Sequence, residues 1–360
     1  MSLINWKDIL SLLGAQTDLT IDQAKWAMQT LMSGTATDAQ IAAFVFGLKV
    51  KGETADEVSG LVTAMLENSV RVPLGRIAVD VVGTGGDGAN TVNVSTMAAL
   101  VVAGAGIPVL KHGNRAASSK SGTADVLEAL GVAISIAPEH VSTCLVDAGI
   151  AFCFAPSHHP AMRYAGPVRK ELGIPTVFNV LGPLANPGQP QAALLGCADI
   201  RMAPVLAQVQ LERGLHSIIV RSDEGLDEMS TSATSQAWDT TSGFLRHEVI
   251  DPKVLGLQPS NLEQLRGAEA SQNAQVVRDL LAGSIEGDLA VIREVVALNA
   301  AAAIVAYDAA NGDKRFGEVS ATLTSRIRKA LPMAFKSIDE GGAQKALSRW
   351  VKVTQEFNQI

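Results

Sequence analysis

From residue 77 onward, short apolar runs alternate with stretches of helical spacing, and this alternation constrains the fold more than any other feature of the sequence. Strands that alternate with helices are joined by right-handed crossovers, which generates a mostly parallel sheet flanked by helices. The pattern therefore predicts an α/β fold, with an antiparallel excursion over the Thr- and Ser-rich residues 230–248. Strands are expected at residues 77–82, 108–110, 132–136, 150–154, 193–196 and 217–220.

The first seventy residues predict helices only. Three capping boxes, in which a threonine and a glutamine or glutamate three positions later satisfy each other's backbone N–H groups, precede segments of helical apolar spacing. We expect a smaller all-α domain over residues 1–74, joined by helices from about 161–190, and an α/β domain over residues 75–360. The capping boxes are Thr20 with Gln23, Thr37 with Gln40, and Thr54 with Glu57.

The composition of the chain limits the kinds of partner that the protein is expected to bind. The net charge is −7, whereas a nucleic-acid-binding protein usually presents a basic surface. Cys144, Cys153 and Cys197 lie among apolar neighbours without metal-ligand spacing, which predicts reduced, buried thiols in a cytoplasmic protein. Residues 1–20 lack the pattern of a secretory leader, and the longest weakly polar run, residues 97–110, is too short to span a bilayer. We expect neither a nucleic-acid nor a membrane partner.

A glycine-rich loop, residues 83–88 (GTGGDG), follows the first expected strand. Its glycines let backbone N–H groups approach a phosphate, and residues 93–96 (NVST) place hydroxyls at the start of the next helix. The loop matches G-x-G-x-x-G, but a dinucleotide site needs an acidic residue about 20 positions later, where this chain has Lys111 and His112. A Walker loop is excluded because no Gly-Lys-Ser/Thr follows. An ordinary tight turn remains compatible with this segment taken alone.

A second polar segment, residues 111–119 (KHGNRAASS), follows the next expected strand. It contains no apolar side chain larger than alanine, and we expect it to lie outside the core. Lys111 is a point charge suited to phosphate, and Asn114 and Arg115 are fork-shaped donors. Because carboxyl ends of parallel strands meet at one edge of a sheet, the two loops predict a substrate with more than one phosphate at that edge.

An acidic loop, residues 222–228 (SDEGLDE), follows the last expected strand. Four carboxylates in six residues repel one another unless a cation holds them. Adjacent Asp227 and Glu228 suit Mg²⁺, which takes one or two carboxylates and bridges to substrate phosphates. A solvent-facing acidic turn is the alternative.

Residues 155–163 (APSHHPAMR) contain a histidine pair whose role is open. His158 and His159 are either general bases or residues that pack a loop. Arg169, within helical reach of this loop, is placed either to neutralise a substrate carboxylate or to pair with Glu171 or a helix end. Residues 178–187 (FNVLGPLANP) predict a rigid connector between lobes.

Together these segments closely resemble the anthranilate phosphoribosyltransferase family, in that family's order, from about residue 80 to residue 230. The resemblance implies a nucleoside phosphorylase/phosphoribosyltransferase-like fold, a hinge between the two domains and a homodimer formed through the helical domain. It also implies a cleft that uses 5-phosphoribosyl 1-diphosphate (PRPP), Mg²⁺ and anthranilate. The matching strings are GTGGDG with NVST, KHGNRAASSKSGTAD, HPAMRYAGPVRKELG, FNVLGPLANP and GLDE.

The resemblance also implies which residues meet each ligand. Gly83, Asn114 and Arg169 would contact anthranilate, with Arg169 facing its carboxylate. Ser95, Asp227 and Glu228 would serve the metal. The residues implied around PRPP are Gly83, Gly86, Asp87, Thr91, Asn93, Val94, Ser95, Thr96, Lys111, His112, Gly113, Asn114, Arg115, Ala116, Ala117, Ser118, Ser119 and Thr123.

The sequence departs from the family's usual pattern in two places. Thr123 replaces a serine and keeps the hydroxyl, and residues 221–225 (RSDEG) replace a His-Gly pair followed by Asp-Gly. The implied reaction transfers the phosphoribosyl group to the amine of anthranilate, a step of tryptophan biosynthesis. No general base is assigned, because a neutral arylamine attacks without prior deprotonation.

Three other functions are alternatives to this one. A pyrimidine-nucleoside phosphorylase of the same architecture binds one phosphate and has little use for Asp227 and Glu228. A non-catalytic nucleic-acid-binding relative predicts a basic surface. An NAD-dependent oxidoreductase is disfavoured by Lys111.

Overall fold

A seven-stranded sheet forms the centre of the protein, which is described by a computed structural model over residues 4–116 and 120–358. Its order is β3-β2-β1-β4-β5-β6-β7; β1 to β5 run parallel, and β6 and β7 are antiparallel. This confirms the predicted mostly parallel α/β class. The strands are β1 Val79–Gly83, β2 Val109–Gly113, β3 Ile150–Phe154, β4 Ala192–Gly196, β5 His216–Ser222, β6 Ser235–Asp239 and β7 Arg246–Ile250.

Helices cover both faces of the sheet. Successive strand residues point to opposite sides, so apolar strands bury side chains on each face. Leu194 belongs to the apolar cluster under the C-terminal helices, and Leu195 belongs to the cluster under the N-terminal helices. The three predicted capping boxes are present in the structure. The α-helices are α1 Trp6–Gly14, α2 Ile21–Met32, α3 Asp38–Lys51, α4 Ala55–Glu67, α5 Val94–Gly104, α6 Thr123–Leu130, α7 Pro138–Ala148, α8 Ala155–His158, α9 Gly166–Leu172, α10 Phe178–Leu184, α11 Met202–Glu212, α12 Ala270–Leu281, α13 Leu289–Ala310, α14 Leu323–Asp339 and α15 Gly342–Phe357.

The N-terminal helices share their apolar cluster with the middle of the chain. Side chains from α1 to α4 pack in one cluster with Ala165, Val168, Phe178 and Leu181, which come from α9, α10 and the turn before α9. On the other face, α13 is the central core helix, and it packs against α5, α14 and the sheet. Short 3₁₀ helices occur at Pro160–Tyr164 and Leu262–Leu265.

Two expectations about local structure are wrong. Residues 132–136 are not a strand: Val132, Ile134 and Ile136 are buried by packing, but the backbone N–H of Ala133 donates to the Thr354 hydroxyl of α15 rather than to a neighbouring strand. The predicted connector, residues 178–187, is largely helical, since α10 occupies most of it. The three cysteines are free and buried, as predicted.

The second wrong expectation concerns the start of the second polar loop. Lys111, His112 and Gly113 are the last residues of β2, and Lys111 is only 1% exposed. A cation in a strand core needs partners inside the protein. The structure supplies them at the strand ends.

Candidate active site

The carboxyl ends of β1, β4 and β5 meet at one edge of the sheet, and Asp227 lies directly over them. Its Oδ2 accepts a hydrogen bond of 2.7 Å from the N–H of Gly85. A Cβ on Gly83 would lie 2.1 Å from Asp227 Oδ2, and a Cβ on Gly196 would lie 1.4 Å from the Asp227 carbonyl oxygen. Both strands must therefore end in glycine for Asp227 to occupy this position.

Asp227 and Glu228 form a pair of enclosed carboxyl groups. Burial and, to a smaller extent, the neighbouring Asp87 together raise the pKa of Asp227 to about 7. Burial and Asp227 raise the pKa of Glu228 well above its usual range, although its Oε1 accepts a hydrogen bond of 2.9 Å from the Thr91 hydroxyl. Two carboxylates that repel each other in this way favour a bound cation.

The other two carboxylates of the acidic loop have partners of their own. Asp223 accepts hydrogen bonds from Thr234 and Gln236, and Glu224 accepts from Ser230 and Ser232. In the predicted four-carboxylate loop, Asp223 and Glu224 thus have hydrogen-bond donors of their own, whereas Asp227 and Glu228 face the strand ends. In residues 4–116 and 120–358, no group of three or more His, Cys, Asp or Glu side chains is arranged to hold a metal. A metal at Asp227 and Glu228 would need further oxygens from substrate or water.

Lys111 lies beneath this pair rather than in an exposed loop. Its Nζ donates to the carbonyl of Val81 and, at 3.3 Å, to the Ser95 hydroxyl. Burial lowers the pKa of Lys111 to about 8, against the attraction of Asp80, Asp227 and Glu228. The positive charge of Lys111 therefore offsets enclosed negative charge, which explains why a lysine ends a core strand.

Asp80, which sequence reasoning missed, completes this buried network. Burial raises its pKa to about 6, against the opposing effect of Lys111. Its carboxylate accepts from Asn186 Nδ2 at 2.8 Å and from the N–H of His112 at 3.3 Å. An acidic residue within an apolar strand was the available signal, but its partners Lys111 and Asn186 are distant in sequence.

The first loop and the start of α5 lie beside these carboxyl groups. Gly86 has a φ of 83°, a conformation that favours glycine, and Asp87 accepts from the N–H of Ala89. Thr91 forms an isolated antiparallel bridge with Arg266. Asn93 is the N-cap residue of α5 but makes no side-chain cap, and the first helical residues are Val94, Ser95 and Thr96.

The second loop is closed by acidic side chains of α6. Arg115 forms ion pairs with Asp125 at 2.9 Å and Glu128 at 2.5 Å, so its predicted fork of donors is already engaged. Asp125 also accepts from the N–H groups of Ala116 and Gly122. Asn114 is exposed, and Thr123 begins α6 beside Gly113. The predicted site residues Ala117, Ser118 and Ser119 lie outside the described residues.

The histidines join β2 to the middle of the chain. His112 Nδ1 lies 2.9 Å from the carbonyl of Gly182, and His159 Nε2 lies 2.8 Å from that of Ala185. A carbonyl only accepts, so each of these nitrogens carries a hydrogen. Burial lowers the pKa of His112 to about 3 and that of His159 to about 4, which keeps both rings neutral near pH 7. His158 likewise contacts the carbonyl of Val70.

Arg169 is a half-buried cation without an acidic partner among the residues that the structure describes. Its guanidinium lies 5.3 Å from the centre of the Phe178 ring, and burial lowers its pKa. No ion pair with Glu171 forms in this part of the chain. The arrangement leaves the charge of Arg169 available to an anionic group.

Comparison with known proteins decides between the functions that the sequence left open. A profile described as the a/b domain of a glycosyl transferase family matches residues 75–328, and the helical bundle domain of that family matches residues 7–69. The chain is 50% identical over 349 residues to the anthranilate phosphoribosyltransferase of Rhodococcus jostii (strain RHA1), covering 97% of this chain and 93% of the relative. This chain belongs to the anthranilate phosphoribosyltransferase family.

Solved structures of anthranilate phosphoribosyltransferases share the fold. The protein from Thermus thermophilus superposes with a TM-score of 0.86 at 34% identity, covering 97% of this chain and 99% of that one. The protein from Saccharomyces cerevisiae, in complex with PRPP and Mg, superposes with a TM-score of 0.85 at 27% identity, covering 98% and 99% of the two chains. The family resemblance and the fold class inferred from the sequence are therefore confirmed.

Proposed function

We propose that this chain transfers the 5-phosphoribosyl group of PRPP to the amine of anthranilate and releases diphosphate, giving N-(5-phosphoribosyl)anthranilate for tryptophan biosynthesis. The observation that carries the proposal is the enclosed Asp227 and Glu228 pair beside a glycine-rich loop and a helix N-terminus. A nucleoside phosphorylase, which handles one phosphate, has no evident use for that pair. Family membership favours the same reaction.

Magnesium fits this pair of carboxyl groups. Asp227 raises the pKa of its neighbour Glu228, and the hydroxyl of Ser95 lies 3.3 Å from the buried Lys111 amine. We propose Ser95, Asp227 and Glu228 as the residues that hold Mg²⁺. When bound, the metal would supply positive charge for the diphosphate that leaves.

The proposed PRPP site uses backbone as much as side chains. The N–H groups of residues 86–88 and of Ser95 at the start of α5 are proposed to meet the leaving diphosphate, because the N–H of Thr84 donates to Gly196 and that of Gly85 to Asp227. Preorganised donors are most effective where negative charge develops. PRPP contacts are proposed for Gly83, Gly86, Asp87, Thr91, Asn93, Val94, Ser95, Thr96, Lys111, His112, Gly113, Asn114, Arg115, Ala116, Ala117, Ser118, Ser119 and Thr123.

The proposed chemistry is direct displacement with inversion. The C–N bond forms from the lone pair of the neutral arylamine as the C–O bond to diphosphate breaks, and the nitrogen then loses its proton to solvent. No histidine is needed as a base, and the neutral His112 and His159 already use one nitrogen each on a carbonyl. Alignment of amine and sugar carbon contributes up to ~7–11 kcal/mol in such reactions.

Anthranilate is proposed to lie between Gly83, Asn114 and Arg169. Arg169 would face the carboxylate, because its guanidinium is half-buried and has no acidic partner among the described residues. Asn114 is exposed at the end of β2, where an amide can contact the amine.

The domain boundary and the assembly are proposals as well. We propose a helical domain over residues 1–74 that includes the helices of about residues 161–190, hinged to an α/β domain over residues 75–360; the shared apolar cluster supports this. A homodimer through the helical domain is supported by α3, where Phe46 and Val50 are 51% and 57% exposed on one face. Buried free cysteines support a cytoplasmic location.

Anthranilate fluorescence tests the proposed reaction. The signal should fall only when PRPP, Mg²⁺ and the protein are all present, because the product loses the free arylamine. A signal that stays constant in the complete mixture, with the protein shown to be folded, would contradict the proposal. A product of retained stereochemistry would contradict direct displacement alone.

A further inference from the structure

A relay of side-chain amides connects α12 to both proposed phosphate loops. The N–H of Ala268 donates to Asn273 Oδ1 at 2.8 Å, and Asn273 Nδ2 donates to Asn93 Oδ1 at 2.9 Å. Asn93 Nδ2 then donates to the carbonyl of Ser121 at 3.3 Å. Asn273 is only 3% exposed, so the relay is an interior structure that links the first loop to the end of the second.

Both amides of this relay have a fixed orientation. The relay begins at a backbone N–H, which only donates, and ends at a backbone carbonyl, which only accepts. If the Asn93 amide were reversed, its oxygen would face the carbonyl oxygen of Ser121, and its NH₂ group would face the NH₂ group of Asn273. Asn93 makes no cap to α5, which leaves its side chain committed to the relay.

The segment before α12 also pairs with the first loop. The N–H of Val92 donates to the carbonyl of Leu265 at 2.8 Å, and the N–H of Gly267 donates to the carbonyl of Asn90 at 2.7 Å. A Cβ on Gly267 would lie 2.4 Å from the carbonyl oxygen of Thr91. The backbone of residues 90–93 is therefore held against residues 265–273.

We propose that Asn273 is a positioning residue for the phosphoribosyl diphosphate site, and the inference rests on the proposed function. It acts through Asn93 and fixes the spacing between the start of α5 and Ser121, the point at which the second loop returns to α6. Asn273 itself touches neither substrate. Loss of the relay should weaken PRPP binding more than anthranilate binding, because Arg169, the proposed partner of the anthranilate carboxylate, lies on other elements.

The test compares N273D with Q272E. N273D keeps the shape of the side chain but replaces the donor that faces Asn93 with an oxygen. Q272E makes the same amide-to-acid change at the adjacent, exposed position of α12. At pH 8 we expect the KM for PRPP to rise about tenfold in N273D, with kcat and the KM for anthranilate each within about threefold of the wild type. Q272E should match the wild type.

Lower pH provides a signature specific to the relay. A buried carboxyl takes up a proton readily, and the protonated carboxyl introduced by N273D can donate its O–H to Asn93. The ratio of KM for PRPP between N273D and Q272E should therefore fall toward one between pH 8 and pH 6. A ratio near one at pH 8, or kcat and both KM values changing together at every pH, would overturn the proposal.

Hydrogen exchange of the free protein separates this inference from the proposed reaction. Residues 88–96 should exchange faster in N273D than in Q272E without any substrate, and equal exchange would overturn the relay. If the wild type fails to consume anthranilate, the proposed function fails while this comparison still stands. If N273D does not fold, N273A should show the same PRPP defect without recovery at pH 6; wild-type behaviour of N273A would overturn the proposal.

Discussion

The two ends of the candidate site handle charge in opposite ways. At the strand ends, Asp227 and Glu228 are crowded together over Lys111, and burial shifts the pKa of all three. Near α10, His112 and His159 are neutral, and Arg169 is a single cation with no acidic partner among the described residues. The first end is suited to a multiply charged ligand with a metal, and the second to a small monoanion.

The largest effect is expected for E228Q and for D227A with E228A. Removal of either carboxylate weakens charge stabilisation of the leaving diphosphate, and we expect kcat to fall by about 10³-fold or more. In the absence of metal, these variants should unfold at or above the unfolding temperature of the wild type, because the repulsion between the carboxylates of Asp227 and Glu228 has been removed. Steady-state rates and thermal melting measure both. A variant with rates within about tenfold of the wild type would show that the carboxyl pair is not the centre of the diphosphate end.

G196A tests the same end of the site, that of Asp227 and Glu228, through the backbone. A methyl group at residue 196 would lie 1.4 Å from the carbonyl oxygen of Asp227, so strand β4 or the acidic loop must move. We expect destabilisation by about 3 kcal/mol and loss of most turnover. Urea unfolding and steady-state rates measure the two effects. The matched control is G75A, because nothing lies within 4 Å of a Cβ there; similar losses in both variants would contradict this reading.

The fold is more predictable from the sequence than the site. The helix starts depend on residues close together in the sequence, whereas the site depends on contacts between residues that are far apart in it. Capping boxes at Thr20, Thr37 and Thr54 act within one helix turn, so the sequence alone locates those helix starts. The sequence predicts Lys111 outside the core, because its compensating charges, Asp80 in β1 and Asp227 in the acidic loop, are distant in sequence. Arg115 had the right donors for phosphate, but its pairing with α6 depends on how that helix returns past the loop.

Acid should destabilise the histidine end selectively. The pKa of His112 is about 3 and that of His159 about 4 in the folded protein, whereas an unfolded histidine has a pKa of about 6.5. Below about pH 6.5 the two histidines therefore bind more protons in the unfolded chain than in the folded protein, so their contribution to stability falls as pH falls. The raised pKa values of Asp80, Asp227 and Glu228 act in the opposite direction, because these carboxyl groups take up protons first in the folded protein. From pH 7.5 to 5.5 the two rings together should account for a loss of about 3 kcal/mol.

The matched variants for this effect keep the hydrogen bonds and remove the titration. H112N places an amide N–H near the position of Nδ1, and H159Q places one near Nε2, the nitrogens that meet the carbonyls of Gly182 and Ala185. Between pH 7.5 and pH 5.5, urea unfolding should show that the stability of the double variant changes by about 3 kcal/mol in the favourable direction relative to the wild type. An unchanged dependence would place the acid sensitivity elsewhere in the protein.

The smallest effect is expected for R169A, and it tests whether the two ends act separately. The variant loses one charge-assisted contact to a carboxylate, which predicts a KM for anthranilate about 20-fold higher. The KM for PRPP and kcat should change little, because Arg169 contacts Phe178 rather than the acidic pair. K170A removes an exposed charge at the adjacent position and should match the wild type. Equal changes in both KM values for R169A would mean that the ends are coupled through α9 and α10. An unchanged KM for anthranilate would instead place its carboxylate away from Arg169.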